Sequence, residues 1–140
     1  MNLYLDSSSF LKLFIAEPQS ATMRNLLETA HGLTTSVIAW PEGRGGLARA
    51  ERSGRISPEY HAEAITQLTE FLTSATVIDM TVGVARVAGD LAARYFLRGL
   101  DAIHLASALT LQEGLGEAVS FSSFDSRLNE AAADCGLAVV

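Results

Sequence analysis

Short β-branched or apolar runs alternate along the chain with longer segments of helical period. The first run, residues 2–5, is too short and too β-inclined for a helix. The apolar residues that follow recur at helical spacing, at Phe10, Leu11, Phe14 and Ile15. A strand is therefore predicted to end at Asp6 and a helix to begin in the serine cluster behind it. Asp6, Ser7, Ser8 and Ser9 are all candidate N-caps, because their side-chain oxygens can accept from the first N–H groups of a helix.

The same alternation continues to the end of the chain. Further strands are predicted at residues 33–38, 75–80, 118–121 and 137–140. Helices are predicted at residues 20–30, from Trp40 through the arginine-rich segment, and at 60–72, 82–97, 101–112 and 126–135. Strands that alternate with helices across short links favour parallel pairing with helices on both faces. The pattern therefore predicts a three-layer α/β/α sandwich with a mostly parallel central sheet, folded as a single domain over residues 1–140.

Glycines and apolar residues add detail to the predicted helices. Gly43, Gly45 and Gly46 fall inside a helix that Pro41 and Glu42 open, so we expect an irregular first turn or a closely packed backbone there. The helix over residues 82–97 is predicted to end at Gly99 and the next one at Gly114. The apolar stripe of the former is predicted to contain Val84, Val87, Leu91 and Tyr95.

Charge and composition narrow the class of protein. A net charge of −6 argues against a protein that coats nucleic acid through bulk basicity, although Arg44, Arg49, Arg52 and Arg55 form one local basic cluster. No apolar run is long enough to span a membrane and no signal-type segment opens the chain, so we expect a cytoplasmic protein. The single cysteine excludes an internal disulfide.

Four acids occupy positions that differ from those of most other acids in the chain. Asp6, Glu42, Asp101 and Asp125 each follow a strand or lie in the first turn of a helix. Each could be a helix cap, but right-handed crossovers bring successive strand ends to one edge of a sheet, where the four could converge. Converging carboxylates require a cation, and Mg²⁺ or Mn²⁺ suits oxygen ligands. The three histidines lack zinc-site spacing, and His104, one turn after Asp101, could bond to it or simply pack.

These residues carry a resemblance to PIN-domain proteins of the VapC toxin type, along nearly the full length of the chain. The matching pieces are LDSSSFLKLF, WPE followed by LARAERSGRIS, then LRGLDAIHLASAL and SFDSRLNEAA. The acid that opens the alanine-rich DAIHLASAL helix is the most specific of them. Pro41 and the run from Gly43 to Gly46 depart from the apolar residues usual in that family after the second acid.

The resemblance implies a metal-dependent endoribonuclease that acts as the toxin of a toxin–antitoxin pair and hydrolyses RNA phosphodiester bonds. Asp6, Glu42, Asp101 and Asp125 match the acidic quartet that binds Mg²⁺ or Mn²⁺, while Ser7 and Ser123 match hydroxyl residues beside the first and last acids. The implied partners are an RNA substrate and a cognate VapB-type antitoxin, and we expect a homodimer. Arg44, Arg49 and Arg52 are candidates for RNA phosphates, although a solvated helix face is the commoner role of a single arginine.

An alternative from another class is a catalytically silent PIN-like or receiver-like module that acts through protein binding. A receiver would need a lysine late in the sheet, and the sole lysine is Lys12. A degenerate nuclease would usually lack one of its acids, and this chain has all four.

Overall fold

A computed structural model describes the whole chain, Met1–Val140, as five strands and seven helices. The strands are β1 (Asn2–Leu5), β2 (Gly32–Ser36), β3 (Thr76–Ile78), β4 (Val119–Ser122) and β5 (Ala138–Val139). The helices are α1 (Ser7–Phe10), α2 (Ser20–Thr29), α3 (Ala39–Arg52), α4 (Pro58–Ser74), α5 (Val82–Tyr95), α6 (Gly99–Leu115) and α7 (Ser126–Asp134), with a 3₁₀ helix at Leu11–Leu13. None of the helices is both long enough and apolar enough to cross a membrane.

All five strands are parallel and lie in the order β3-β2-β1-β4-β5. The central strand β1 pairs with β2 on one side and β4 on the other, with Asn2 opposite both Gly32 and Val119. Because parallel strands end at the same edge, the segments that follow β1, β2 and β4 leave the sheet side by side. The predicted mostly parallel sheet is confirmed.

The two faces of the sheet carry separate apolar cores, which confirms the three-layer sandwich. Successive side chains of β1 point to opposite faces, so Leu3 and Leu5 lie in one core and Tyr4 in the other. The Leu3 core is covered by α2, α3 and α4, and the Tyr4 core by α5, α6 and α7. Both cores therefore meet at β1, the strand that Asp6 follows.

Helix α3 runs without interruption through its glycines, so the irregular first turn that we expected is not present. A Cβ on Gly43 would lie 2.7 Å from a methyl carbon of Leu68, and one on Gly46 would lie 2.9 Å from a methyl carbon of Leu11. These neighbours are side chains, whereas the sequence had led us to expect a close backbone. The glycines let α3 pack tightly against α4 and the 3₁₀ helix, which fixes the helix that carries Glu42.

The predicted ends of α5 and α6 were wrong by a few residues. Helix α5 ends at Tyr95 with Phe96 as its C-cap, whose backbone is left-handed (φ 55°), and Gly99 belongs to the next helix. Helix α6 ends at Leu115, and its C-cap is Gly116, with φ 66°, instead of Gly114. Val87 is 44% exposed, and Ala88 takes its predicted place in the core.

The only lysine holds together two of the segments at the carboxyl edge. The Lys12 ammonium lies 2.5 Å from Glu17 Oε2 and 4.6 Å from the centre of the Phe124 ring. Lys12 and Arg55 both pair with Glu17 and hold the pKa of its carboxyl below the usual value. The chain after β1 is thereby linked to the loop after β4 through the Lys12 side chain.

The left-handed backbone of Phe96 predicts that Phe96→Gly stabilises the protein. The ring is 80% exposed, so little packing is lost, and glycine removes a steric cost of roughly 1–2 kcal/mol while adding about 0.5–1 kcal/mol of chain entropy. We expect a net gain of about 0.5 kcal/mol in the free energy of unfolding, measured by urea titration. Gly116→Ala is the matched control: its Cβ would meet nothing within 4 Å, yet φ is 66°, so stability should fall. Equal responses at the two positions would contradict a conformational cause.

Candidate active site

Asp6 is buried at the end of β1, where it has two hydrogen-bonded partners. Its Oδ1 accepts from the Ser8 hydroxyl at 2.7 Å and from the Ser9 backbone N–H at 2.9 Å, and the residue is only 2% exposed. Burial raises the pKa of this carboxyl, although the nearby His104 ring, the Ser123 hydroxyl and the bonds from Ser8 and Ser9 oppose the rise. Asp6 is therefore a helix cap and also a charge held away from water.

The supporting serines differ in part from those chosen from the sequence. Ser8 binds the Asp6 carboxylate, whereas Ser7, the candidate from the sequence, lines a cavity beside Glu42. Ser123 lies where it was expected, beside Asp6 and Ser8, and its hydroxyl also accepts from the Asp125 N–H at 3.0 Å. Three consecutive serines after an acid are equivalent in sequence, so the sequence does not indicate which of them hydrogen-bonds to the carboxylate.

Glu42 lies in the first turn of α3 and is bound by a histidine from another helix. Its Oε1 is 2.7 Å from His104 Nε2, and His104 Nδ1 is 2.9 Å from the Tyr4 hydroxyl. The sequence had suggested Asp101 as the possible partner of His104, because the two are one turn apart. His104 does not bond to Asp101; it packs in the interior, as the other alternative had it, and its carboxylate partner is 62 residues away in the chain.

Asp101 and Asp125 share an arginine that was not among the residues predicted from the sequence. Arg98 Nε lies 3.1 Å from Asp101 Oδ2, and its Nη2 lies 3.9 Å from Asp125 Oδ2. Asp125 also caps α7 by accepting from the Leu128 N–H at 3.1 Å. Arg98 could have been noticed from its spacing, three residues before an acid at a helix start. The Arg98 side chain is 84% exposed, so solvent weakens these ion pairs and they contribute little to stability.

Three cavities with shared walls lie along this edge. The largest, about 470 Å³, is lined by Ser7, Glu42, Arg98 and Asp101 among others. A second, about 340 Å³, shares Arg98 and Asp101 and adds Asp125 and Arg127. A third, about 420 Å³, shares Ser7 and Glu42 and adds Arg49. The cavities thus connect three of the four predicted acids through common lining residues, while Asp6 is buried next to His104 and Ser8.

The predicted phosphate-binding arginines are not equivalent. Arg49 lies on the same face of α3 as Glu42, two turns further on, and lines the third cavity. Arg44 and Arg52 are exposed and line none of the cavities. Arg98 and Arg127, which were not predicted, both line the cavity that contains Asp101 and Asp125. The guanidinium groups at the edge therefore come from three different helices or helix starts.

The chemistry of these donors suits a hard divalent cation, whereas their present arrangement is held by protein partners. All four acids offer carboxylate oxygens, and a cation would relieve the cost of the buried Asp6 charge. As the side chains stand, no three Asp, Glu, His or Cys residues are grouped closely enough to hold a metal ion. The Arg98 guanidinium lies between Asp101 and Asp125 instead, and this exposed side chain would have to move for them to become ligands.

The PIN-domain family model matches residues 3–134, and the chain belongs to that family. Ribonuclease VapC49 of Mycobacterium tuberculosis (strain ATCC 25618 / H37Rv) is 35% identical over 138 residues, covering 98% of this chain and 93% of that protein. The VapC-type resemblance seen in the sequence is confirmed.

Solved structures share the fold at low sequence identity. M. tuberculosis VapC20, described as a sarcin-ricin loop cleaving toxin, superposes with a TM-score of 0.68 at 16% identity, over 97% of this chain and 96% of that one. A toxin–antitoxin complex from Klebsiella pneumoniae gives a TM-score of 0.66 at 18% identity, over 100% of this chain and 96% of that one. At such identities the likeness concerns the fold.

The raised pKa of Asp6 predicts that Asp6→Asn is more stable than the wild type in EDTA. Asparagine can still accept from Ser8 and Ser9, but it removes the desolvated charge, so we expect a gain on the order of 1 kcal/mol near neutral pH. A carboxyl with a raised folded-state pKa loses stability as the pH rises through that pKa, so the difference between variant and wild type should shrink on acidification.

Urea unfolding at about pH 7 and about pH 5 measures this difference. Asp101→Asn is the matched control, because Asp101 is paired with an exposed arginine and its neutralisation should change stability little. An Asp6→Asn variant that is less stable than the wild type at both pH values would show that the carboxylate is favourable where it lies.

Proposed function

We propose that this protein is a metal-dependent endoribonuclease and the toxin of a toxin–antitoxin pair. The observation that carries the proposal is the set of carboxylates, each from a separate element, at one edge of the sheet in a chain of the PIN-domain family. Relatives named as ribonucleases and toxins support the substrate class. In this role the protein would act on RNA in the cytoplasm, and we expect it to be a homodimer.

The acids and the guanidinium groups have different tasks in this proposal. Asp6, Glu42, Asp101 and Asp125 would hold Mg²⁺ or Mn²⁺ through oxygen atoms, a donor type that both ions favour. When bound, such an ion would activate a water molecule and stabilise charge on the departing oxygen. Arg49, Arg98 and Arg127 line the cavities beside the acids and can pair with phosphate oxygens. Asp6 stays fixed by Ser8 and Ser9 throughout, so its carboxylate keeps one orientation.

The proposal predicts that Asp101→Asn and Glu42→Gln reduce RNA cleavage by at least about 100-fold, because each removes a charge with little change of shape. Cleavage of a labelled single-stranded RNA by protein freed of any partner measures this, with Mg²⁺ or Mn²⁺ and again with EDTA. Glu113→Gln, an exposed acid further along α6, should behave as the wild type. Equal cleavage by Asp101→Asn would point to a contaminating nuclease or to a structural role for Asp101. A wild type without cleavage under any of these conditions would favour the silent binding module.

A second prediction concerns the partner. Arg98 already shows that a guanidinium can lie between Asp101 and Asp125, so an arginine from an inhibitor could occupy the same acids and prevent metal binding. We therefore expect a small protein encoded next to this one that binds it tightly and suppresses RNA cleavage. Expression of this protein alone should arrest growth of its host, and co-expression should restore it. If an RNA-cleaving protein were expressed without harm to the host, the ribonuclease activity would stand but the role as a toxin would be rejected.

A further inference from the structure

A chain of three polar side chains links the central strand to the acid on α3 through the interior of the protein. The Tyr4 hydroxyl is 2.9 Å from His104 Nδ1, and His104 Nε2 is 2.7 Å from Glu42 Oε1. Tyr4 and His104 are both completely buried. We call Tyr4, His104 and Glu42 the buried relay.

Packing alone does not require a histidine at position 104. The other buried residues of α6 are Ala102, Leu105, Ala106, Ser107 and Ala108, so this surface of the helix is filled mainly by apolar side chains. Burying an imidazole costs free energy unless both ring nitrogens find partners. Here both do, and one of the partners is an acid of the candidate site.

The partners determine which ring nitrogen carries the proton. An ionised carboxylate can only accept, so His104 Nε2 must donate to Glu42. In a neutral imidazole Nδ1 is then an acceptor and the Tyr4 hydroxyl donates to it, whereas an imidazolium would donate from both nitrogens. A tyrosine hydroxyl, with an ordinary pKa of about 10, carries its proton at neutral pH and can donate it to a hydrogen bond. The Tyr4 ring is itself fixed by stacking on Phe121, with centroids 5.6 Å apart and planes 10° from parallel.

A fixed imidazole in turn fixes one end of the Glu42 carboxylate. Oε1 is bound by His104, whereas Oε2 has no hydrogen-bond partner in the protein. The Glu42 side chain is 17% exposed and lines the cavity that also contains Asp101. The relay therefore holds one oxygen of the acid and leaves the other available on a side chain that borders the cavity.

We propose that His104 is a positioning residue that orients the Glu42 carboxylate for a divalent cation through an Nε2–H tautomer held by Tyr4. The inference rests on the proposed function in one respect, namely that Glu42 serves a metal ion. Replacing a residue that hydrogen-bonds to a metal ligand typically lowers metal affinity or activity about 10–100-fold.

A matched pair of substitutions separates this role from packing. The amide nitrogen of His104→Gln can reach the position of Nε2 and donate to Glu42, whereas that of His104→Asn lies near Nδ1 and cannot. We expect His104→Asn to weaken Mn²⁺ binding at least about 10-fold in calorimetric titrations, and His104→Gln to stay within about 3-fold of the wild type. Tyr4→Phe should weaken binding by an intermediate factor. His31→Asn, at an exposed histidine, should have no effect.

The Mn²⁺ affinity of a double variant at His104 and Glu42 provides a second test. Circular dichroism checks that each variant is folded. In a Glu42→Gln background, His104→Asn should cause no further loss of Mn²⁺ affinity, because the acid it orients is already neutral. Equal losses in His104→Asn and His104→Gln, or additive losses with Glu42→Gln, would show that the histidine only packs. Wild-type Mn²⁺ affinity in His104→Asn, or no Mn²⁺ binding by the wild type, would likewise overturn the inference.

The tautomer can be tested without metal or RNA. Long-range ¹H–¹⁵N spectra of the imidazole rings should show one histidine with a protonated Nε2 and an unprotonated Nδ1, and its signals should vanish in His104→Asn. The opposite tautomer, or an average of the two, would contradict the relay. These spectra and the Mn²⁺ titrations need no RNA cleavage. Failure of the nuclease proposal, seen as absent cleavage, is therefore distinguishable from failure of the relay.

Discussion

The buried carboxylate of Asp6 is the constraint on which the rest of the structure depends. A charge that is 2% exposed at the end of the central strand is costly, and the protein compensates it locally with the Ser8 hydroxyl, the Ser9 N–H and the neighbourhood of His104 and Ser123. Those partners come from α1, from α6 and from the loop after β4. Holding one charge thus requires three elements to meet at the same place, and that place is the candidate active site.

Close packing of α3 gives the second acid its position. Because Gly43 and Gly46 leave space for Leu68 and Leu11, α3 lies against α4 and against the 3₁₀ helix behind Asp6. The same segment is linked through Lys12 to the Phe124 ring beyond β4. Glu42 therefore lies on α3, which packs on one face of the sheet. His104, which binds Glu42, lies on α6, which packs on the opposite face. The acid is therefore oriented by both layers of the sandwich.

The site contains its own counter-charges, which reconciles a net charge of −6 with a proposed RNA substrate. Arg49, Arg98 and Arg127 border the cavities that the acids line, so the local field is mixed although the whole chain is acidic. Long-range steering of RNA by overall charge is not available to such a protein. Short-range pairing of phosphates with guanidinium groups remains available, and it depends on where these few side chains lie.

The sequence alone determined the elements and most of the acids' positions, because hydrophobic period, capping residues and turn residues act over a few positions. The strand before Asp6, the caps at Asp6 and Asp125 and the parallel layered fold all follow from such local patterns. Tertiary structure decided which side chains meet. Glu42 and His104 are 62 residues apart, and only the packing of α3 and α6 on one sheet makes them partners. Ser8 instead of Ser7, the shared Arg98 and the left-handed Phe96 were also decided in this way, since chain direction and contact geometry select among residues that are locally equivalent.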